Sequence, residues 1–443
     1  MSVYLSIEYA SLTDVGVRRS HNQDAHVALP AGDALQWEQR GHLFLVADGM
    51  GAHAVGELAS KIAIDNIPHI YVKHAQEGPS TSLRRAMLET NTAIHTRGQQ
   101  NREFEGMGTT GTVLLLRPEG VWLGHVGDSR AYRVRDNKIE QLTFDHSLVW
   151  ELARRQGVRP EELQGIPSNV IVRSLGPEPL VQIDIEGPHP IRAGDIYVIC
   201  SDGLSGPVSD REIGATVSAL PPKEACRFLI DLANLQGGPD NITVIVVKVL
   251  EGEGQGGHST GNGVAGDPTP MNGPRGQPWH SRFPWTLMLM VLGIVLALGA
   301  IVVTSANHTG GIVMFVLAAA AFGTGLVGLW LQSRHDTQPA SAEEDNRELR
   351  IHREVPCNIE LPILQKLAKA EAILEDRIRD RNWTADWDDC KKHFTLAQQH
   401  MNKGSLTDAY REYCRAMRPL SEALQRQRQK EEVFQPVWDK NSD

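Results

Sequence analysis

Short apolar runs separated by polar turns fill the first 250 residues. HLFLVAD, TVLLLR, VWLGHVGD, DIYVICSD and NITVIVVKVL are rich in Val, Ile and Leu. Runs of this length and composition, bounded by Gly, Asp and Asn, predict buried strands. Between them, roughly 54–75 and 80–100 read as helices, and a further helix starts near Pro222. No internal repeat interrupts the pattern. Many strands with a few helices predict an α+β domain over 1–250, with sheet packed on sheet and helices outside.

The pattern then changes twice. Residues 251–281 contain nine glycines and four prolines, too little apolar surface to fold alone, and read as a flexible linker spanning about 30 Å as a random coil. WTLMLMVLGIVLALGAIVV, at 285–303, carries no charge over 19 residues, and a second apolar run covers 312–331. Each is long enough to cross a ~30 Å hydrocarbon core. The expectation is a transmembrane helical hairpin; the competing reading is a buried hairpin of a soluble protein. Trp285 and Trp330 sit near the ends of the runs, where interfacial tryptophans are favoured. The connecting TSANHTGG has no Lys or Arg, whereas Arg275, Arg282 and Arg334 flank the pair. That asymmetry predicts a multi-pass protein of the cell membrane with both soluble ends in the cytoplasm.

A polar linker, 332–355, leads into a helical tail over 356–430. Leu364, Leu367, Leu374 and Ile378 share one face; Trp383, Trp387, Cys390, Phe394, Ala397 and Met401 recur at spacings of four and three. KGSLTDAYREYCRAM is similar to the second half of a tetratricopeptide repeat, but covers one repeat at most, and solenoids need about three. A small helical bundle is expected, with its aromatic stripe as core.

Composition narrows the function. Hydrophobic residues make up 41% and charged residues 22% of 443, ordinary for a globular chain of roughly two to three domains. A net charge of −10 argues against a nucleic-acid binder with a broad basic surface. The five cysteines form no CxxC pair, so neither a zinc ribbon nor a disulfide framework is suggested. MSVYLSIEYA lacks the basic and apolar segments of a signal peptide.

The chemistry lies in carboxylates at strand ends. Asp48 closes an apolar run and opens DGMGAHAVGE; Asp24 lies in VRRSHNQDA, Asp128 in VGDSR, Asp202 in VICSDGL and Asp240 in GGPDNITV. Hard divalent ions such as Mg²⁺ and Mn²⁺ take oxygen ligands and keep waters. Adjacent glycines let backbone approach closely and offer carbonyl ligands. Two such ions bridged by one carboxylate activate a water for attack on phosphorus. Each piece alone is weak, since Asp-Gly is most often a turn. The ordered set is specific: VRRSHNQDA, DGMGAHAVGE, GTT at 108–110, GDSRAY, LTFDHS, RSLG at 173–176, CSDGL and GGPDNITVIVV.

On those motifs, residues 10–250 resemble the bacterial form of the PP2C-type (PPM) metal-dependent protein serine/threonine phosphatases. The resemblance implies a sandwich of two antiparallel sheets flanked by helices, with a site for two Mn²⁺ or Mg²⁺ ions, and a weaker third, at one end. It implies that Asp48 bridges the ions and the Gly49 carbonyl binds one of them. Asp202 and Asp240 would complete the second, and Asp128 with Asp202 would hold the third. Arg19 aligns with the arginine that grips substrate phosphate, with Arg18 the alternative one position away. Asp24 would hold water bound to the metal. His53 stands where the family keeps a histidine proposed as general acid. A phosphomonoester dianion needs positive charge more than covalent help, so metals and a guanidinium fork suit it. Cys200 sits in an apolar strand without a basic partner and reads as inert.

Two departures stand out. Gln23 replaces the usual glutamate of Asn-Glu-Asp, and Ile166-Pro167 replaces a frequent His-Pro before RSLG. The resulting expectation is a membrane-tethered Ser/Thr phosphatase acting on phosphorylated cytoplasmic or membrane proteins, a Ser/Thr protein kinase among them. The alternative is a catalytically weak pseudophosphatase that binds phosphoproteins. The tail is a candidate for binding a protein partner in either case.

Overall fold

The structure is a computed structural model that describes residues 4–51, 54–163, 165–167, 170–250 and 353–433, together with 312, 313, 315–320 and 324. Two compact units are present: Met1–Gly256 with His352–Asp443, and Gly257–Ile351.

In the first unit the chain opens with strands β1 (Ile7–Asp14) and β2 (Asp24–Leu29), helix α1 (Ala34–Arg40), β3 (His42–Met50) and helices α2 (Ala54–His74) and α3 (Pro79–Gln99). Then follow β4 (Gly108–Thr109), β5 (Gly111–Arg117), β6 (Gly120–Val126), β7 (Arg130–Arg135), β8 (Lys138–Gln141) and helix α4 (Leu148–Gln156). β9 (Asp184–His189), β10 (Ile196–Cys200), the short α5 (Asp202–Ser205), α6 (Asp210–Ala219), α7 (Pro222–Leu235) and β11 (Ile242–Val249) complete the N-terminal part. After the linker come β12 (Arg353–Pro356) and helices α8 (Leu361–Asp380), α9 (Trp387–Asn402) and α10 (Leu406–Val433).

One sheet runs β1-β11-β10-β7-β8-β12; the other runs β2-β3-β5-β6-β9, with β4 paired to β3. Every pairing is antiparallel. The continuous apolar runs of the sequence follow from this layering, because the central strands are covered on both faces. Along β3, Phe44 and Val46 point between the sheets, against Leu114, Tyr197, Ile199 and Val247. Leu43, Leu45 and Ala47 point the other way, into a core shared with α2 and α3. Along β11, Ile245 and Val247 face the sandwich interior, whereas Val244 and Val246 face the opposite helical layer.

That second helical layer contains the tail. Cys226, Phe228 and Leu229 of α7 lie in one apolar cluster with Leu364, Tyr410, Met417 and Leu420. Tyr410 is buried, its hydroxyl 2.8 Å from that of Thr216 on α6 and its ring edge-on to Phe228. Arg411 donates to the carbonyl of Ala219, and Arg415 pairs with Glu224 on α7. Upstream of these helices, β12 adds to the sheet edge through β8, with Val355 opposite Ile139. The polar linker expected through 355 therefore gives way to strand at Arg353. Four residues ending in proline carry too little pattern to show this, and proline is tolerated because β12 is an edge strand. Within the tail, α8 and α9 both pack along α10, as a small bundle.

The first apolar run of the expected hairpin, 285–303, lies outside the described residues. Of the second, residues 312, 313, 315–320 and 324 are described as helical, and Ile312, Val313, Phe315, Val316 and Leu317 are 55–64% exposed. Among the described residues, no helix is long and apolar enough to cross a membrane.

Because the tail shares a core with the sandwich, Tyr410→Ala is expected to lower the stability of the whole first unit by about 3–5 kcal/mol, as for other large aromatic truncations. Urea unfolding followed by tryptophan fluorescence and far-UV circular dichroism should give coincident transitions, both shifted. A second prediction concerns Asp231, buried on α7 beside the tail. It accepts from Gln425, with Arg227 Nε 3.7 Å away. Burial pushes its carboxyl from 3.8 up to about 7, opposed by Arg227 and reinforced by Asp14 and Glu422. A raised folded-state pKa stabilises fully below about pH 4, and that contribution is lost as pH rises through about 7. Asp231→Asn should therefore raise the melting temperature at pH 8 and leave it unchanged or lower at pH 4.5.

Candidate metal centre

Strand register brings the predicted residues to one end of the sandwich. Asp24, the first residue of β2, is the cross-strand partner of Asp48 near the end of β3. Cys200 ends β10 opposite both Arg130 at the start of β7 and Val244 near the start of β11. Hence Asp128, Asp202 and Asp240, lying just beyond those strand ends, emerge on the same side. Asp14 ends β1 opposite Ile242, so the loop bearing Arg18 and Arg19 emerges there too.

Local chemistry holds each segment. The Asp48 amide donates to the Thr110 hydroxyl at 2.8 Å, and that hydroxyl lies 2.8 Å from Ser129 in the Asp128 turn. The Asp48 carbonyl accepts from the Thr110 amide and the Thr109 hydroxyl. Gly49 is required by close approach: a Cβ there would lie 2.1 Å from the Gly56 carbonyl oxygen. Gly16, at φ +79°, lets the arginine loop pack on the carbonyl of Asp240. Asn241 pins that loop by donating to the carbonyls of Val15 and His21 and accepting from the Gln23 amide. The functional motifs of the sequence thus include Asn241, Thr110 and Ser129 as positioning groups. Their only signal was membership of GTT, GDSR and PDN, to which no individual role attached.

The site is crowded with negative charge. Asp24 and Asp128 are 8% and 6% exposed. Burial pushes Asp24 up to about 7, although the Ser201 hydroxyl donates to its Oδ2 at 2.6 Å and draws it down; Asp202 and Asp240 add to the rise. Asp128 is pushed up to about 8 by burial, then by Asp202 and Asp145, with Arg130 opposing. Asp48 is held well above the carboxylate range by burial and by Asp24, Asp202, Asp128 and Asp240. Asp202 is raised by burial and Asp240, and its carboxyl lies in hydrogen-bonding contact with that of Asp48. Two carboxylates in contact need a proton or a cation between them.

Among the described residues, three buried oxygens of this cluster lack a hydrogen-bond donor: Oδ1 of Asp24, Asp128 and Asp202. Buried carboxylate oxygens are normally satisfied, so three orphans in one cluster fit a site for hard cations. Among the described residues no three carboxylate, imidazole or thiol groups close around a single point.

The other predicted residues are placed as follows. Arg19 is half exposed and donates to Asp240 Oδ2 at 2.7 Å. Arg18 is exposed, with its amide bonded to the Gly238 carbonyl. Gln23 turns its side-chain amide to the Gly51 carbonyl at 3.4 Å. His53 lies outside the described residues. Cys200 is fully buried on the helical side of its sheet, with its thiol pushed up to about 12 by burial; it is no nucleophile. The remaining motifs support the frame: Asp145 of LTFDHS grips Arg130, while His146 and Arg173 meet on Asp184 at 3.0 Å each.

Comparison with known proteins gives the family. Residues 11–152 match the family model for protein phosphatase 2C. The chain is 35% identical to the protein phosphatase PhpP of Streptococcus pneumoniae, over 55% of this chain and 98% of that protein. It is 36% identical to the serine/threonine protein phosphatase PstP of Mycobacterium tuberculosis, over 56% of this chain but only 46% of PstP, so it matches about half the length of that relative. A crystal structure of PstP aligns over 56% of this chain and all of its own, at 35% identity and a TM-score of 0.49. The chain belongs to the protein phosphatase 2C family. Its N-terminal domain is of the metal-dependent phosphoprotein phosphatase type.

Relieving the crowding should stabilise the metal-free protein. Asp48→Asn is expected to melt several degrees above wild type in EDTA at pH 8. Saturating Mn²⁺ should raise the wild-type melting temperature, by about 2.7 kcal/mol of stability at 100 times Kd, and leave the variant unmoved. Differential scanning calorimetry distinguishes these outcomes.

Proposed function

We propose that this protein is a membrane-tethered serine/threonine phosphatase that removes phosphate from phosphoserine and phosphothreonine of cytoplasmic proteins, opposing a bacterial Ser/Thr protein kinase. The observation that carries the reading is the cluster of orphaned carboxylate oxygens beside an exposed arginine. Asp48, the Gly49 carbonyl, Asp202 and Asp240 would hold the two ions, and Asp128 with Asp202 would hold the weaker third. Bound ions supply positive charge that lowers the pKa of a water and screens the charge of the phosphoryl group. Arg19 offers a guanidinium fork to the phosphate oxygens at the mouth of the site. Its partner Asp240 keeps it oriented toward the cluster. Asp24, anchored by Ser201, would hold water bound at the metal site. His53 is the proposed donor to the departing seryl or threonyl oxygen, which is too basic to leave unprotonated.

The membrane tether rests on the two apolar runs and on the exposed apolar side chains of Ile312, Val313, Phe315, Val316 and Leu317. Confinement to a surface raises the effective concentration of the enzyme toward membrane-bound substrates. The phosphatases PhpP and PstP lend the reaction class by family.

Release of phosphate from a phosphothreonine peptide tests the reading. The full chain should be active with Mn²⁺ and silent in EDTA. Asp202→Ala should lose at least 100-fold in kcat/KM, about 2.7 kcal/mol of transition-state stabilisation. Arg19→Ala should lose chiefly in KM. A folded, Mn²⁺-loaded wild type that binds the phosphopeptide without turnover would instead mark a phosphoprotein-binding module.

A further inference from the structure

A chain of charges, buried as far as Asp210, leads from the metal centre to the partly exposed Arg353 of the tail. Arg130, two residues beyond Asp128, directs Nε and Nη2 at Asp145 at 2.8 and 2.7 Å. Its Nη1 donates to the Tyr132 hydroxyl at 3.2 Å and lies 3.8 Å from Asp210. Tyr132 in turn donates to Asp210 Oδ1 at 3.1 Å. Asp210 is the first residue of α6 and is almost fully buried. Its other oxygen meets Nε of Arg353 at 2.9 Å. Arg353 is the first residue of β12 and stands opposite Gln141, which donates to Asp145 at 2.8 Å. The tail therefore reaches both carboxylates that hold Arg130, Asp210 directly and Asp145 through Gln141.

The charge count gives this arrangement a consequence. Arg130 and Arg353 contribute two positive charges, Asp145 and Asp210 two negative ones, and the quartet is neutral. Removing the tail's arginine leaves one uncompensated negative charge in a buried network next to Asp128 and Asp202. Between charges in protein surroundings, such an imbalance is felt over many ångströms. A nearby anion favours a divalent cation at the centre; an added cation opposes it.

We propose that Arg353 is a positioning residue for the metal centre: through Asp210 and Arg130 the docked tail sets how tightly the Asp128–Asp202 side of the site holds its cation. This rests on the metal-centre reading above. The tail is then a regulatory element coupled to the site by charge, and a partner that draws β12 off the sheet edge alters metal occupancy.

The test is Mn²⁺ binding to the full chain at pH 8, by isothermal titration calorimetry, with Arg353→Gln, Asp210→Asn and the double variant. Arg353→Gln should tighten the weakest resolved Mn²⁺ site by roughly fivefold, and Asp210→Asn should weaken it by a similar factor. The double variant should return to wild type, and Arg353→Lys should match wild type throughout. Lys366→Ala is the control. It breaks another tail contact, to Glu212 on the same helix, without touching the quartet. Structural damage would move both single variants in the same direction, and Lys366→Ala with them; that pattern overturns the proposal, as does an unchanged affinity in Arg353→Gln. Should Arg353→Gln not fold, Asp210→Asn and Arg353→Lys decide the matter. Weaker binding in the first with unchanged binding in the second supports the coupling, and any other pairing overturns it. Absence of Mn²⁺ binding by wild type would refute the metal centre itself, a result distinguishable from the failure of coupling.

Discussion

Five aspartates brought to one end of a sandwich repel one another, and the rest of the site exists to hold them there. No single strand end would tolerate this. Asp24 and Asp48 face each other across a ladder, Asp202 touches Asp48, and burial with mutual repulsion raises Asp24, Asp48, Asp128 and Asp202. The crowding is offset by the two apolar layers that enclose the strands and by donors to the carboxylates, the Ser201 hydroxyl on Asp24 and the Asn241 amide on Asp240. A free protein in this state is poised to take up positive charge. Buried groups forced together against their electrostatic preference mark functional sites, and here the deficit is of a kind that divalent cations relieve.

Much of this was legible in the sequence, for definite reasons. β3, β5, β10 and β11 are covered on both faces, so they appear as unbroken runs of Val, Ile and Leu. Asp48, Asp128 and Asp202 stand beside Gly near the ends of strands. What sequence patterns do not carry is the partner of each group. Arg19 stands out as a phosphate-binding candidate, yet its bond to Asp240 links residues 221 apart. Asn241 and Ser129 act on groups distant in the chain. Ser, Thr and Asn are common in turns, so nothing in their local context singled them out.

The tail shows the same limit more sharply. Its amphipathic periodicity requires that α8 to α10 bury an apolar face, but periodicity does not say against what. Part of that face is met by the bundle itself and part by α6 and α7. The four-residue β12 lies below the length at which alternation is readable. Its pairing with β8 converts a polar segment after the linker into the edge of the catalytic sheet, and places Arg353 within reach of Asp210. A tail built in this way is structurally continuous with the domain that carries the site.

Whether the aspartate cluster is a two-metal centre bridged by Asp48 is decided by anomalous scattering from crystals grown with Mn²⁺. Two strong peaks are expected, both within about 2.3 Å of an Asp48 oxygen, with Asp202 and Asp240 on one of them. No peak at the cluster, or a peak that Asp48 does not touch, would refute the bridge.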